Sequence, residues 1–243
     1  MSRIAKLPLG LSQRAWIGRA AIAAAVVGAL GASTSASAAT VNLTFVGSVN
    51  PGSTITRTIS DSTTGVQTAT TLTASLFHMT SGADPVYAYC LEPQQAVGNG
   101  TFTESPLTAA PGNLGGMSAT RAGQVEWLFG QVADPFSSTL GADQQAAIQI
   151  ALWEIIRENS GTLDVNAGTT FFSGPTPANA LTLAQGYLDN VTNAVGTPLA
   201  GLMALTNANL QDLVVLVPRN TVPEPGTLLL VGGALAFLRR RKA

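Results

Sequence analysis

Two apolar segments, each beside a cluster of basic residues, lie near the ends of this chain and fix how much of it is left to fold. At the start, Arg3, Lys6, Arg14 and Arg19 surround or precede the run Ala20 to Ala32 (AAIAAAVVGALGA), and a small-residue stretch, Ser33 to Ala39, follows. Within it Ala36-Ser37-Ala38 fits an A-x-A cleavage site, so residues 1–39 read as a secretory signal removed by signal peptidase. The run of 13 residues is short of the roughly 20 that a spanning helix needs. At the other end Val222-Pro223-Glu224-Pro225-Gly226 leads into twelve mostly apolar residues, Thr227 to Leu238, and then Arg239-Arg240-Arg241-Lys242. As a helix these would span about 18 Å of a hydrocarbon core roughly 30 Å thick. Such a segment is a weak stop-transfer signal whose positive charge stays on the cytoplasmic side.

The tail resembles the PEP-CTERM sorting signal of Gram-negative bacteria: Pro223-Glu224-Pro225, a hydrophobic segment, a basic cluster. The resemblance covers residues 222–243 and concerns destination rather than activity. It implies a short transmembrane helix that holds the chain transiently at the inner membrane. It also implies processing by an exosortase-type membrane protease and delivery to the cell surface or an exopolysaccharide-rich biofilm matrix.

Between these ends, residues 40–221 are of normal size for one domain with a real core. Their charge is lopsided. The stretch from Thr40 to Val222 contains Arg57, Arg121, Arg157 and Arg219, no lysine and twelve acidic residues, and so carries about −8. No basic surface is left for nucleic acid, which requires clustered lysine and arginine. One cysteine and one histidine in the whole chain exclude an internal disulfide framework and the cysteine- or histidine-based metal clusters. No calcium-loop spacing occurs, and no cofactor or metal is expected.

Hydrophobic patterning divides the body into strands, then helices, then a last strand. Thr40 to Val46, Thr54 to Ile59, Val66 to Phe77 and Val86 to Leu91 are Thr- and Val-rich with period-2 tendencies. Val97 to Gly116 reads as loop. Ser118 to Val132, with Ser118 as N-cap, Ala142 to Asn159, and Thr176 to Val195 read as helices, and Leu213 to Val217 as a closing strand. This order predicts an α+β fold, a Thr-rich β-sandwich or barrel-like sheet with an inserted helical portion.

Cys90 lies on the strand Val86 to Leu91, sharing a face with Val86 and Ala88, which argues against an exposed disulfide partner. An inert buried thiol and a reactive group both remain open. On a helical wheel of Ala142 to Asn159, Asp143, Ala147, Glu154 and Glu158 cluster on what should be the solvated face. Gln149 falls in the opposite apolar stripe with Gln145, Ile148, Leu152 and Ile156. A buried carboxamide must be held or cost about 1–3 kcal/mol. Hydrogen bonds to loop carbonyls would hold it; so would chemistry. A cysteine sulfur can attack a glutamine carboxamide carbon and expel ammonia, leaving an acyl group activated for a nucleophile.

At these residues the sequence resembles the thioester domains of bacterial surface adhesins, whose pattern is aromatic-Cys-hydrophobic followed by Gln-x-Ala-hydrophobic-Trp on a helix. Here these are Tyr89-Cys90-Leu91 and Gln149-Ile150-Ala151-Leu152-Trp153; Ile148 stands where the best-known adhesins have Thr. The resemblance implies a Cys90–Gln149 thioester, shielded from water by Trp153, that reacts once with an amine on a surface protein or matrix polymer. Such a domain is a covalent adhesion module and not an enzyme. The alternative is a non-covalent structural protein of the matrix in which Cys90 is a buried thiol. A hydrolytic Cys90–His78 dyad lacks a recognisable orienting Asn or Asp, and no catalytic residue is assigned.

Overall fold

The computed structural model describes residues 38–217, except 61–63, 65, 112–114 and 175–176. The expected signal segment, apart from its last two residues, and the sorting tail with Pro223, Glu224 and Pro225 lie outside the described residues. Among the described residues no helix is long and apolar enough to cross a membrane.

The elements follow in the order β1 (Thr40–Ser48), β2 (Thr54–Ser60), β3 (Gln67–Thr73), β4 (Phe77–Ser81), β5 (Asp84–Cys90), β6 (Gly100–Ser105), α1 (Ala119–Phe129), α2 (Ala142–Arg157), β7 (Thr170–Ser173), α3 (Ala180–Thr192), β8 (Leu202–Thr206) and β9 (Leu213–Leu216). Six strands close into an antiparallel barrel in the order β1-β4-β5-β9-β8-β6, and β3-β2-β7 form a second sheet. The α+β expectation, a barrel-like sheet with an inserted helical portion, holds.

Local chemistry accounts for the main boundaries. The β4–β5 hairpin pairs Ser81 with Asp84, so its loop is Gly82-Ala83, and Gly82 takes the φ of +61° that such two-residue turns demand. Ser118 caps α1, its side chain accepting the Arg121 N–H at 3.2 Å. The run Val66 to Phe77 does not form one strand: it breaks at Ala74-Ser75-Leu76, so that β3 joins the second sheet and β4 the barrel. The stretch Val97 to Gly116 holds a strand, β6, in which only Phe102 is fully buried, too few apolar positions for the alternation to register.

Helix α2 is the central element, and here the wheel expectation needs correcting. Ala147 and Glu154 are fully buried and Glu158 is 4% exposed, so the face assigned to solvent is interior. Helices α1 and α3 pack along α2, and the segment after it folds back over its C-terminal end. Backbone donors of that segment reach both carboxyls: the Asp164 N–H donates to Glu154 Oε1 at 3.0 Å, leaving Oε2 without a partner, and Thr170 N–H donates to Glu158 Oε2 at 3.0 Å. Arg121 on α1 reaches the same end, donating to the Ile156 carbonyl at 2.9 Å and to the Glu158 carbonyl at 2.5 Å. These are carbonyls that a helix C-terminus leaves unsatisfied.

Two glutamines one turn apart fasten α2 to the barrel edge. Gln145 Oε1 accepts from Leu76 N–H at 3.3 Å and from the Ser75 hydroxyl at 3.1 Å. Gln149 does the equivalent at Cys90, just past the point where β4 has run out as a partner for β5.

Candidate functional site around Cys90

Cys90 ends β5, paired with Leu213 of β9, and is completely buried and not in a disulfide. Its backbone N–H donates to Gln149 Oε1 at 2.9 Å, and its carbonyl accepts from Gln149 Nε2 at 2.8 Å. The carboxamide thus occupies Cys90 as a neighbouring strand would, through both of its polar atoms. The sequence expectation that Gln149 points into the core and is held there is met.

The carboxamide nitrogen that meets the sulfur belongs to a different residue. Gln211 Nε2 donates to Cys90 Sγ in a close contact, and to the Glu92 carbonyl at 2.6 Å. Gln211 is 6% exposed. Its backbone is set by the turn before β9, where Asn207 Oδ1 accepts from the N–H groups of Asn209 at 2.8 Å and Leu210 at 3.0 Å. The Gln211 N–H donates to the Ala96 carbonyl at 3.1 Å. The structure therefore brings Cys90 and Gln149 together as expected, but through the cysteine backbone, and adds Gln211 at the sulfur. Sequence reasoning missed Gln211 because it stands in a turn, where no periodicity marks a side chain as inward-facing. The available signal was a lone amide between Leu210 and the apolar closing strand.

The motif neighbours occupy the surrounding shell. Tyr89 is fully buried, donates its hydroxyl to the Pro135 carbonyl at 3.0 Å and packs edge-on against Phe129 and Phe136. Leu91 and Ala151 are fully buried, and Leu91 N–H donates to the Asp212 carbonyl at 2.8 Å. Trp153, 1% exposed, stacks on Phe172 of β7. Its indole N–H makes no hydrogen bond of normal geometry, yet lies near enough to the sulfur to favour the thiolate.

Burial pushes the Cys90 thiol far up. The Trp153 N–H, a backbone N–H at Glu92 and the charge of Arg57 pull it down, while the Glu92 carboxylate pushes it up. A cleft of about 450 Å³ is lined by Trp153 and Gln211, the neighbours of the sulfur, and by the apolar Phe45, Leu72, Phe77 and Val97, while Cys90 itself is not among its lining residues. No charged side chain is among its described lining residues.

His78 stands apart, its ring stacked on Tyr87 at 5.1 Å across the β4–β5 ladder. Among the described residues no imidazole meets Cys90, and no three His, Cys, Asp or Glu side chains converge as metal ligands. Glu154 is held largely protonated at neutral pH, pushed up to about 8 by burial and by the charges of Glu158 and Asp164. For Glu158 burial acts the same way, but N–H donors from Ser160 and Thr170 and the hydroxyls of Ser160 and Thr169 overcome it and hold the carboxyl near 2.

Residues 221–242 match the PEP-CTERM protein-sorting motif. The chain carries, at its end, the signal of an exported surface or matrix protein processed by exosortase. Neither a curated protein nor a solved structure matches the chain.

Proposed function

We propose that this exported domain carries an internal thioester between Cys90 Sγ and the side-chain carbonyl carbon of Gln211, and uses it to bond once to an amine on a surface protein or matrix polymer. The observation that carries this reading is the Gln211 carboxamide lying against the buried sulfur. The cysteine backbone is pinned meanwhile by Gln149, which thereby becomes a positioning residue rather than the acyl partner expected from the motif. In formation, Sγ attacks the Gln211 carboxamide carbon; the C–N bond breaks and ammonia leaves with the thiol proton. In the binding step a neutral amine attacks the same carbon, an amide forms, the C–S bond breaks, and the amine's displaced proton ends on Sγ. Each molecule reacts once, so the domain is a reactive ligand and not an enzyme.

Three further features support the reading. Trp153 and the apolar walls of the cleft keep the sulfur from bulk water while leaving a route to Gln211. Thr40 to Val222 contains no lysine to consume the acyl group internally. The acidic body attracts amine-bearing partners. The competing reading, a non-covalent matrix protein with an inert thiol, is favoured by one observation: the burial that opposes Cys90 ionisation.

Mass spectrometry separates them. Loss of ammonia leaves the protein about 17 Da below its calculated mass, and methylamine opening leaves a methylamide about 14 Da heavier than glutamine. Arg57, Arg121, Arg157 and Arg219 are tryptic sites, so Cys90, Gln149 and Gln211 fall in three different peptides. The expected label is on peptide 158–219. A label on peptide 122–157 would return the acyl role to Gln149. Full calculated mass with a thiol that reacts on unfolding, without amine treatment, would establish the matrix-protein reading.

A further inference from the structure

Two of the four arginines between Thr40 and Val222, Arg57 and the half-buried Arg157, hold guanidinium N–H groups in the interior without an acceptor. Arg57 lies on β2, whose neighbours at that register are Thr70 and Phe172, and it is only 2% exposed. Trp153 of α2 stacks on Phe172, and Arg157 follows Trp153 by one helical turn. Nε and Nη1 of Arg57, and Nε and Nη2 of Arg157, are buried without an acceptor. Arg121, by contrast, is fully used in capping α2. Buried guanidinium groups with idle N–H groups are costly, and neighbouring cations make them more so.

The electrostatic surroundings of the two arginines are mixed. Burial and the charge of Arg157 bring Arg57 down to about 10, still a cation at neutral pH. Glu92, two residues after Cys90, supplies one negative charge, felt by Arg157. Glu154, on the same helix, is mostly neutral at pH 7, and Glu158 is committed to the 160–170 segment. Both arginines feel Cys90, and Arg57 in turn pulls the thiol down.

Resting on the thioester reading, we infer that Arg57 and Arg157 form a cationic pair, one buried and one half-buried, that supplies the countercharge for the Cys90 sulfur when the thioester is made and opened, making both positioning residues for the reaction. When an amine attacks Gln211, the electron pair of the breaking C–S bond goes to Sγ. In a dry site that developing thiolate has no water to stabilise it, and the two guanidinium groups are the preorganised substitute. The same field favours the thiolate that attacks Gln211 during formation. This also explains idle guanidinium N–H groups in an interior that a methionine would fill at little cost.

The test uses the full-length chain as wild type, Arg57→Met, Arg157→Met and Arg57→Lys. Thioester content is read from the mass deficit, and methylamine opening from the rate of thiol release. Loss of one buried charge should slow opening about 10- to 100-fold, while the denaturation midpoint stays level or rises. Arg57→Lys should recover most of the rate. Equal opening rates in wild type and both Met variants would overturn the inference, as would a rate loss that merely tracks a fall in stability. Should Arg57→Met not fold, Arg157→Met is read in the same way. A wild type with no mass deficit would instead remove the thioester reading. The pair is then judged on the native thiol: its ionisation, followed by thiolate ultraviolet absorbance, should move to higher pH in the Met variants, and an unmoved titration overturns it.

Discussion

Replacing Gln149 with leucine isolates what its carboxamide does. The strand β4 begins at Phe77, opposite Ala88, so from Tyr89 onward β5 has no backbone partner on that side. The Gln149 amide takes over, at 2.9 and 2.8 Å to the Cys90 N–H and carbonyl. Leucine is close in volume but bonds neither group, and no water replaces it in a site of zero exposure. Two orphaned backbone groups at about 1–3 kcal/mol each, less about 1 kcal/mol returned by the extra apolar burial, give a loss of roughly 1–5 kcal/mol. For a domain of this length that lowers Tm by roughly 2–20 °C. Urea denaturation of the variant beside Gln144→Ala, an exposed position on the same helix, measures the loss directly. The carboxamide's backbone role predicts a second result: Gln149→Leu molecules that fold still show the 17-Da-scale mass deficit of thioester formation, and Gln211→Leu molecules do not. A loss below about 0.5 kcal/mol, or the reverse pattern of deficits, would refute the assignment of roles.

Other expectations follow from the same interior. Glu154 is raised above its ordinary 4.5 to about 8; the fold thus holds a proton the unfolded chain has released. Stability should fall as pH rises from 4.5 to 8, on the order of 1.4 kcal/mol per pH unit, and level off above; Glu154→Gln should flatten that slope in denaturation series. Glu158 behaves oppositely, since its value is lowered to about 2. Its contribution is present above 4.5 and lost as pH falls toward 2, so Glu158→Gln should cost about 1–3 kcal/mol at neutral pH and weaken the acid dependence. Gly130→Ala would place a methyl on the Thr197 carbonyl, a backbone neighbour that cannot rotate away, and should cost more than about 2 kcal/mol. Gly123→Ala, inside α1 with nothing near its added methyl, should gain about 0.5–1 kcal/mol; thermal melts of the two give opposite signs.

What could be read beforehand follows from the kind of signal each part leaves. Gln149 was legible because a helix imposes a period: among Ile148, Leu152 and Ile156 an amide must face the interior. The same wheel misplaced Glu154 and Glu158, because periodicity ranks the faces of a helix but cannot say that a later segment will cover the more polar one. The N–H groups of Asp164, Ser160 and Thr170 that make those carboxylates tolerable inside belong to that segment. Gln211 was illegible for a related reason. It is brought to Cys90 by the register of β5 on β9, in which Tyr89 meets Val214 across more than a hundred residues of chain. Nothing in the Thr-rich strand around Arg57 marks it as interior; its burial comes with β3 and β7 pairing on either side of β2. The reactive centre is thus assembled from one residue that local pattern announces and several that only topology brings in. The chemistry proposed for Cys90 rests on the second group: the amide of Gln211 at the sulfur and the arginines Arg57 and Arg157, supplied by elements far from Cys90 in the chain.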